Sequence, residues 1–174
     1  MRQAEIARAA DSRIDHWFPP ASSPERGLIV RVTTTQGSTW VGSFALEYEA
    51  PEAVSTLVSW ADATILLVVA AGRGYMAEID EPGSYATVQT FPILHCLHLG
   101  DDVLLASYTS LALVSPHGVQ WETPRVSWDG LRNLKAAGGA VSGQAWDAPS
   151  NAWVPLTVDL ATGAVTGGSS PPTH

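Results

Sequence analysis

WADATILLVVAAGRGYMAEIDEPG, residues 60 to 83, holds the run that decides the fold: from Ala63 to Ala70 nearly every position is apolar. Eight residues are too few to span a bilayer, and Asp62 and Gly72 bracket the run, so it reads as a strand buried on both faces, central in a sheet. The unit recurs. Trp60-Ala61-Asp62, Leu99-Gly100-Asp101 and Ala137-Gly138-Gly139 place equivalent positions 39 and then 38 residues apart. Each is followed by an apolar stretch and a second polar turn: Asp80-Glu81-Pro82-Gly83, Ser115-Pro116-His117-Gly118 and Asp159-Leu160-Ala161-Thr162-Gly163. A period near 40 is the length of one four-stranded supersecondary unit.

Outward from that run, period two dominates. Trp40, Phe44 and Leu46 share one strand face, and further strands are expected at 93–99, 103–108, 111–114, 119–122, 140–146 and 153–160. Gly, Pro, Asp and Ser clusters punctuate them, the pattern of an all-β chain. Ahead of residue 28 the spacing of Ile6, Ala10, Ile14 and Trp17 predicts one N-terminal helix over 1–18, ended by Pro19-Pro20. Residues 28–165 are expected to form a single β-domain, and 166–174 a Gly/Ser/Pro tail with nothing to bury.

The segments GDDVLLASYTSLALVSPHGVQWE (100–122) and WVPLTVDLATGAV (153–165) resemble blades of quinoprotein-type and related β-propellers, over about residues 55–165. In such blades a strand pair is followed by an Asp-x-x-x-Gly turn and an aromatic strand. Asp accepts local backbone hydrogen bonds and Gly takes the positive φ. The resemblance implies antiparallel sheets in propeller-blade-like repeats, as a small or incomplete propeller or an open sandwich. Only the skeleton matches, so no cofactor residue is carried over and no cofactor is expected.

Charge bounds the partners. The net charge is −8, and a single lysine, Lys135, accompanies eight scattered arginines, leaving no basic stripe to neutralise phosphates. This argues against nucleic acid. One cysteine, Cys96, fits a reducing compartment, and the first twenty residues lack the apolar core of a signal peptide. The chain is expected to be cytoplasmic, with no membrane partner. Its scarce lysine and abundant alanine suggest a GC-rich bacterial source.

Motifs for familiar chemistries are missing: GxSxG, the P-loop, HExxH, CxxC and the EF-hand loop do not occur. Gly72-Arg73-Gly74 lies between strands and reads as a turn. On a strand, Cys96 and His98 share a face and His95 takes the other, so at most two of the three can share a metal, fewer than zinc takes from protein. No metal is expected there. Asp101-Asp102, at a strand entrance, reads as turn chemistry rather than as an acid–base pair.

Tryptophan is the abundant functional-grade residue, at seven of 174. Trp40 and Trp121 are expected in the core. Trp146 lies with Ser142 and Gln144, and Trp153 lies opposite the aliphatic face of Val154, Leu156 and Val158; a hairpin loop over 147–152 would bring the two indoles face to face. Such a pair is either covered or a contact surface. Two readings follow. The first is a non-enzymatic protein-binding module of a bacterial cytoplasm, of immunity or inhibitor type, whose acidic surface meets a basic partner at Trp146, Trp153, Asp147 and Asp129. The second is a carbohydrate-binding or glycoside-processing protein using the same indoles with Asp129, Asp147 or Asp159, which requires two carboxylates about 5 to 10 Å apart.

Overall fold

A computed structural model describes residues 4–8, 13–19, 27–48, 50–61 and 63–171, and these described residues form sixteen strands in four four-stranded sheets. Among the described residues there is no helix, and so none long and apolar enough to cross a membrane. The strands are β1 Ala4–Ile6, β2 His16–Phe18, β3 Gly27–Thr33, β4 Thr39–Ala45, β5 Thr56–Ser59, β6 Ile65–Ala70, β7 Arg73–Glu78 and β8 Tyr85–Thr87. They continue as β9 His95–Leu99, β10 Asp102–Ala106, β11 Leu111–Ser115, β12 Gly118–Glu122, β13 Leu131–Ala137, β14 Ala140–Asp147, β15 Ala152–Asp159 and β16 Val165–Gly167. Two compact units divide them: Met1–Val88 with Pro116–Gly118, and Gln89–Ser115 with Val119–His174.

In the first unit, β5-β6-β7-β8 is an antiparallel meander with the expected central strand: Leu66 to Ala70 are fully buried. Ala71 and Gly72 turn from β6 to β7 with φ of 41° and 79°, the two positive values of a type I′ hairpin. Gly72 is thus a turn residue, whereas Arg73 and Gly74 already belong to β7. Asp62, the anchor of the first repeat, lies outside the described residues.

The other sheet of this unit, in order β1-β3-β4-β2, overturns the N-terminal helix. The β3–β4 hairpin has two bare edges; residues 4–6 pair antiparallel with one and residues 16–18 run parallel along the other. Strand pairing satisfies the backbone while Phe18, absent from the supposed helix face, stacks on Phe44 at 4.3 Å. Ile6, which that face would have buried, is 53% exposed. Ala10 and Pro20 lie outside the described residues. Gly42 makes room for this aromatic cluster: a Cβ there would come within 3.0 Å of the Trp40, Phe18 and Phe44 rings.

In the second unit, β9 to β12 and β13 to β16 are both meanders. Leu104, Leu111 and Val126 pack with Val141, Leu156 and Val158 in its core. The Asp159 turn is built as the blade resemblance implies: Asp159 accepts from the Thr162 amide and hydroxyl, both at 2.8 Å, and Gly163 has φ of 71°. The segment expected to be a free tail instead begins as β16, after which the Ser169 amide donates to Val126 O at 2.8 Å. Glycine permits this approach, since a Cβ on Gly167 or Gly168 would lie 2.4 or 2.6 Å from a backbone oxygen.

The four sheets differ in one respect that positions the site. Alternate residues of β6 and β10 are buried whichever way they point, and in β4 Trp40 through Phe44 are all buried. In β14 and β15 only Val141, Ala145, Leu156 and Val158 are buried; Ser142, Pro155 and Thr157 on the other face are exposed.

Candidate functional site

That open face carries the two expected indoles. β14 and β15 pair in register from Ala140↔Asp159 to Asp147↔Ala152, which sets Trp146 directly opposite Trp153. The connecting turn is Ala148–Asn151, four residues rather than six, because Asp147 and Ala152 already pair. Both indoles are half-buried, with ring centroids 5.3 Å apart at 61°, edge to face.

Beside them, β13 has a bulge. Arg132 pairs with Gln144 and Lys135 with Ser142, so three steps on β13 match two on β14. Asn133 absorbs the extra residue with φ of 56°. The bulge brings two donors to one acceptor: Gln144 Oε1 accepts from Arg132 Nε at 2.9 Å and from Asn133 Nδ2 at 3.2 Å. Thus held, the Arg132 guanidinium carbon lies 4.1 Å from the centre of the Trp153 ring, a cation–π contact. Arg132 and Gln144 were not among the expected site residues.

The two expected carboxylates both lie beside Trp146, Asp147 directly after it and Asp129 directly after Trp128, whose amide bonds to the Trp146 carbonyl. Asp129 is exposed in the bend at 128–129, whose backbone brackets Trp146: Trp128 N donates to Trp146 O and Trp146 N to Gly130 O, both at 3.0 Å. Gly130, at φ of 145°, lies under Trp153, where a Cβ would come within 3.0 Å of the ring. Asp147 accepts from the Ser150 hydroxyl on one oxygen and from Ser169 Oγ at 2.5 Å on the other. These hydrogen bonds, Ser150 first, hold its carboxyl below the usual carboxylate range. Ser169 in turn accepts from Trp128 Nε1 at 3.2 Å. Asp159 stands at the opposite end of β15, about 23 Å from the Asp147 end at roughly 3.3 Å per residue, because Ala152 pairs with Asp147 there.

The remaining candidates are dispersed. Gly100 and Asp101 form the two-residue turn between β9 and β10, with Gly100 at φ of 72°, so the Asp101-Asp102 pair serves a hairpin. On β9, His95 and His98 are exposed and Cys96 is half-buried, its thiol pushed up by burial. Among the described residues no three His, Cys, Asp or Glu side chains gather as a metal would require. Trp40 is buried and Trp121 half-buried.

No family model matches the chain, and no curated protein does. Among solved structures, the chain is similar to the Pan2 WD40 domain of Neurospora crassa, at 14% identity and a TM-score of 0.42. The match covers 67% of this chain and 39% of that one.

Proposed function

We propose that this chain is a non-enzymatic protein-binding module whose contact surface is the open face of the last sheet, centred on Trp146, Trp153 and Arg132. The observation that carries the reading is the half-exposed Trp146–Trp153 pair with Arg132 over it, on a face that contributes nothing to the core. Tryptophan and arginine are the residue types that most often supply the energy of an interface, and a β-sheet holds them rigidly, so little side-chain entropy is lost on binding. Asp129 and Asp147 sit at the rim. In its finer form the reading is an immunity-type or inhibitor protein of a bacterial cytoplasm, steered to a basic partner by its charge of −8.

The carbohydrate reading has less support. Asp147 and Asp159 lie at opposite ends of the β14–β15 hairpin, and both Asp147 oxygens are engaged by hydroxyls. The Trp153 ring, which a sugar would stack on, already carries Arg132. The test is affinity capture from the source cell with wild-type and Trp153→Ala baits of equal fold content by circular dichroism. A protein retained by the first and lost from the second supports the reading; equal retention places the interface elsewhere, and elution by free oligosaccharide replaces it with the sugar reading.

A further inference from the structure

The open face of the last sheet has a charge order of its own. Along the β13–β14 ladder Lys135 stands opposite Ser142 and Arg132 opposite Gln144, and Trp146 follows two residues further on β14. Side chains directly opposite each other, and those two apart on one strand, share a face, so Lys135, Arg132 and Trp146 form a row of three stations on the exposed side. Adjacent stations are about 7 Å apart along the strands, two residues at roughly 3.3 Å each.

Both cations are exposed, and among the described residues neither is paired with a carboxylate. Arg132 is held on this side by two contacts: its Nε donates to Gln144 Oε1, and its guanidinium carbon lies over the Trp153 ring. Among the described residues its two terminal nitrogens have no hydrogen-bond partner, and they are the fork that matches a carboxylate with two parallel bonds. A guanidinium stacked and held at Nε is already oriented, so little side-chain freedom is lost on binding. The carboxylates of the sheet lie elsewhere. Asp147 follows Trp146 and so takes the opposite face, held by Ser150 and Ser169. Asp159, at the far corner of the open face, is engaged by Thr162. Asp129 belongs to the bend beyond Trp146, at the end of the row away from Lys135. The row therefore reads cation, cation, indole, which complements a segment reading acid, acid, apolar.

We propose that this row docks an extended acidic segment of a partner protein, with two carboxylates at alternate positions meeting Lys135 and Arg132 and an apolar side chain two residues further on meeting Trp146. A strand repeats its side chains on one face at the spacing of the stations. The inference rests on the reading of this face as the protein-contact surface and adds the chemistry of what touches it. It concerns the touching segment alone: the charge of −8 acts on the partner as a whole, so a partner that is basic overall presents its acidic segment here.

The experiment uses the full chain and three labelled heptapeptides read by fluorescence anisotropy: Gly-Glu-Ser-Glu-Ser-Phe-Gly, its lysine counterpart Gly-Lys-Ser-Lys-Ser-Phe-Gly, and Gly-Glu-Glu-Ser-Ser-Phe-Gly, which has lost the alternation. The alternating glutamate peptide binds saturably, the adjacent-glutamate peptide more weakly, and the lysine peptide not at all. Lys135→Gln and Arg132→Gln each weaken the first by about tenfold, the worth of one charge-assisted hydrogen bond. Lys135 is exposed, so its variant reports even if Arg132→Gln does not fold. A lysine peptide that binds as well as the alternating glutamate one overturns the proposal, as do equal binding of the two glutamate peptides, an affinity unaltered in Lys135→Gln, or no binding by any peptide. Binding of an oligothymidylate that is lost in the same variants assigns the row to nucleic acid and overturns it too. The two readings fail separately. A captured protein lost from Trp153→Ala but retained by Lys135→Gln and Arg132→Gln leaves the contact surface standing and removes the acidic segment, whereas equal retention by all three places the interface elsewhere.

Discussion

The indole N–H of Trp121 donates to the carbonyl of Leu160 at 2.9 Å, and 39 residues likewise separate Trp40 from Ile79, whose carbonyl it meets at 2.8 Å. Each bond ties one sheet to the residue that follows the third strand of the next sheet in its unit, β15 or β7. Trp40→Phe and Trp121→Phe keep most of the ring and leave a carbonyl unpaired. Trp121→Phe, at a part-buried bond, is expected to cost about 1 kcal/mol, and Trp40→Phe, at a buried one, toward the upper end of about 1–3 kcal/mol. Urea titration checks this: the midpoint falls while the slope stays unchanged.

Gly163 is the tightest test of the turn. Its φ is 71°, and a Cβ would lie 2.8 Å from the Trp121 ring. Gly163→Ala therefore meets both backbone strain and a clash and is expected to destabilise by more than about 1 kcal/mol. Gly37, with φ of 85° but nothing within 4 Å, is the control: Gly37→Ala pays the strain alone, so its fall in melting temperature is the smaller of the two.

Acid sensitivity has a named contributor in Asp147. Its hydrogen bonds to Ser150 and Ser169 depress its pKa in the folded state from the ordinary 3.8. A depressed carboxylate contributes stability that is present above the unfolded value and lost as pH falls through the folded one. The stability gap between wild type and Asp147→Asn is therefore expected to be constant near neutrality and to shrink as pH drops below 3.8. Urea midpoints measured across that range check it; a gap that widens toward acid refutes the assignment.

For the captured partner, charge and aromatic anchoring act on different rates. Raising ionic strength is expected to slow association with little effect on dissociation, whereas Trp153→Ala speeds dissociation. An anchor of this type is worth about 2 kcal/mol, or some thirtyfold in affinity. Surface plasmon resonance across salt separates the two.

The apolar run at Ile65–Ala70 was legible because a strand buried on both faces has no polar residue to spare. The Trp146–Trp153 pairing was legible too, since alternation and one turn set the register. The N-terminal segment was misread because Ile6, Ala10, Ile14 and Trp17 repeat at a helical interval by coincidence. What decided it was two unpaired edges of a hairpin that begins only at Gly27, a long-range demand invisible in a local window. Arg132 was missed for a related reason. Regular pairing outward from the Gly138-Gly139 turn would set Asn133, not Arg132, opposite Gln144, and only the bulge moves the arginine into place.

Because the outward residues of β14 and β15 are not members of the buried cluster that the inward ones build, the two sets do different work. Ser142, Pro155 and Thr157, exposed on that face, form a panel that can be rewritten while Gln144 keeps its bonds to the β13 bulge. A library randomised at those positions would retain the fold while sampling new surfaces, which makes this sheet a natural starting scaffold for selecting binders.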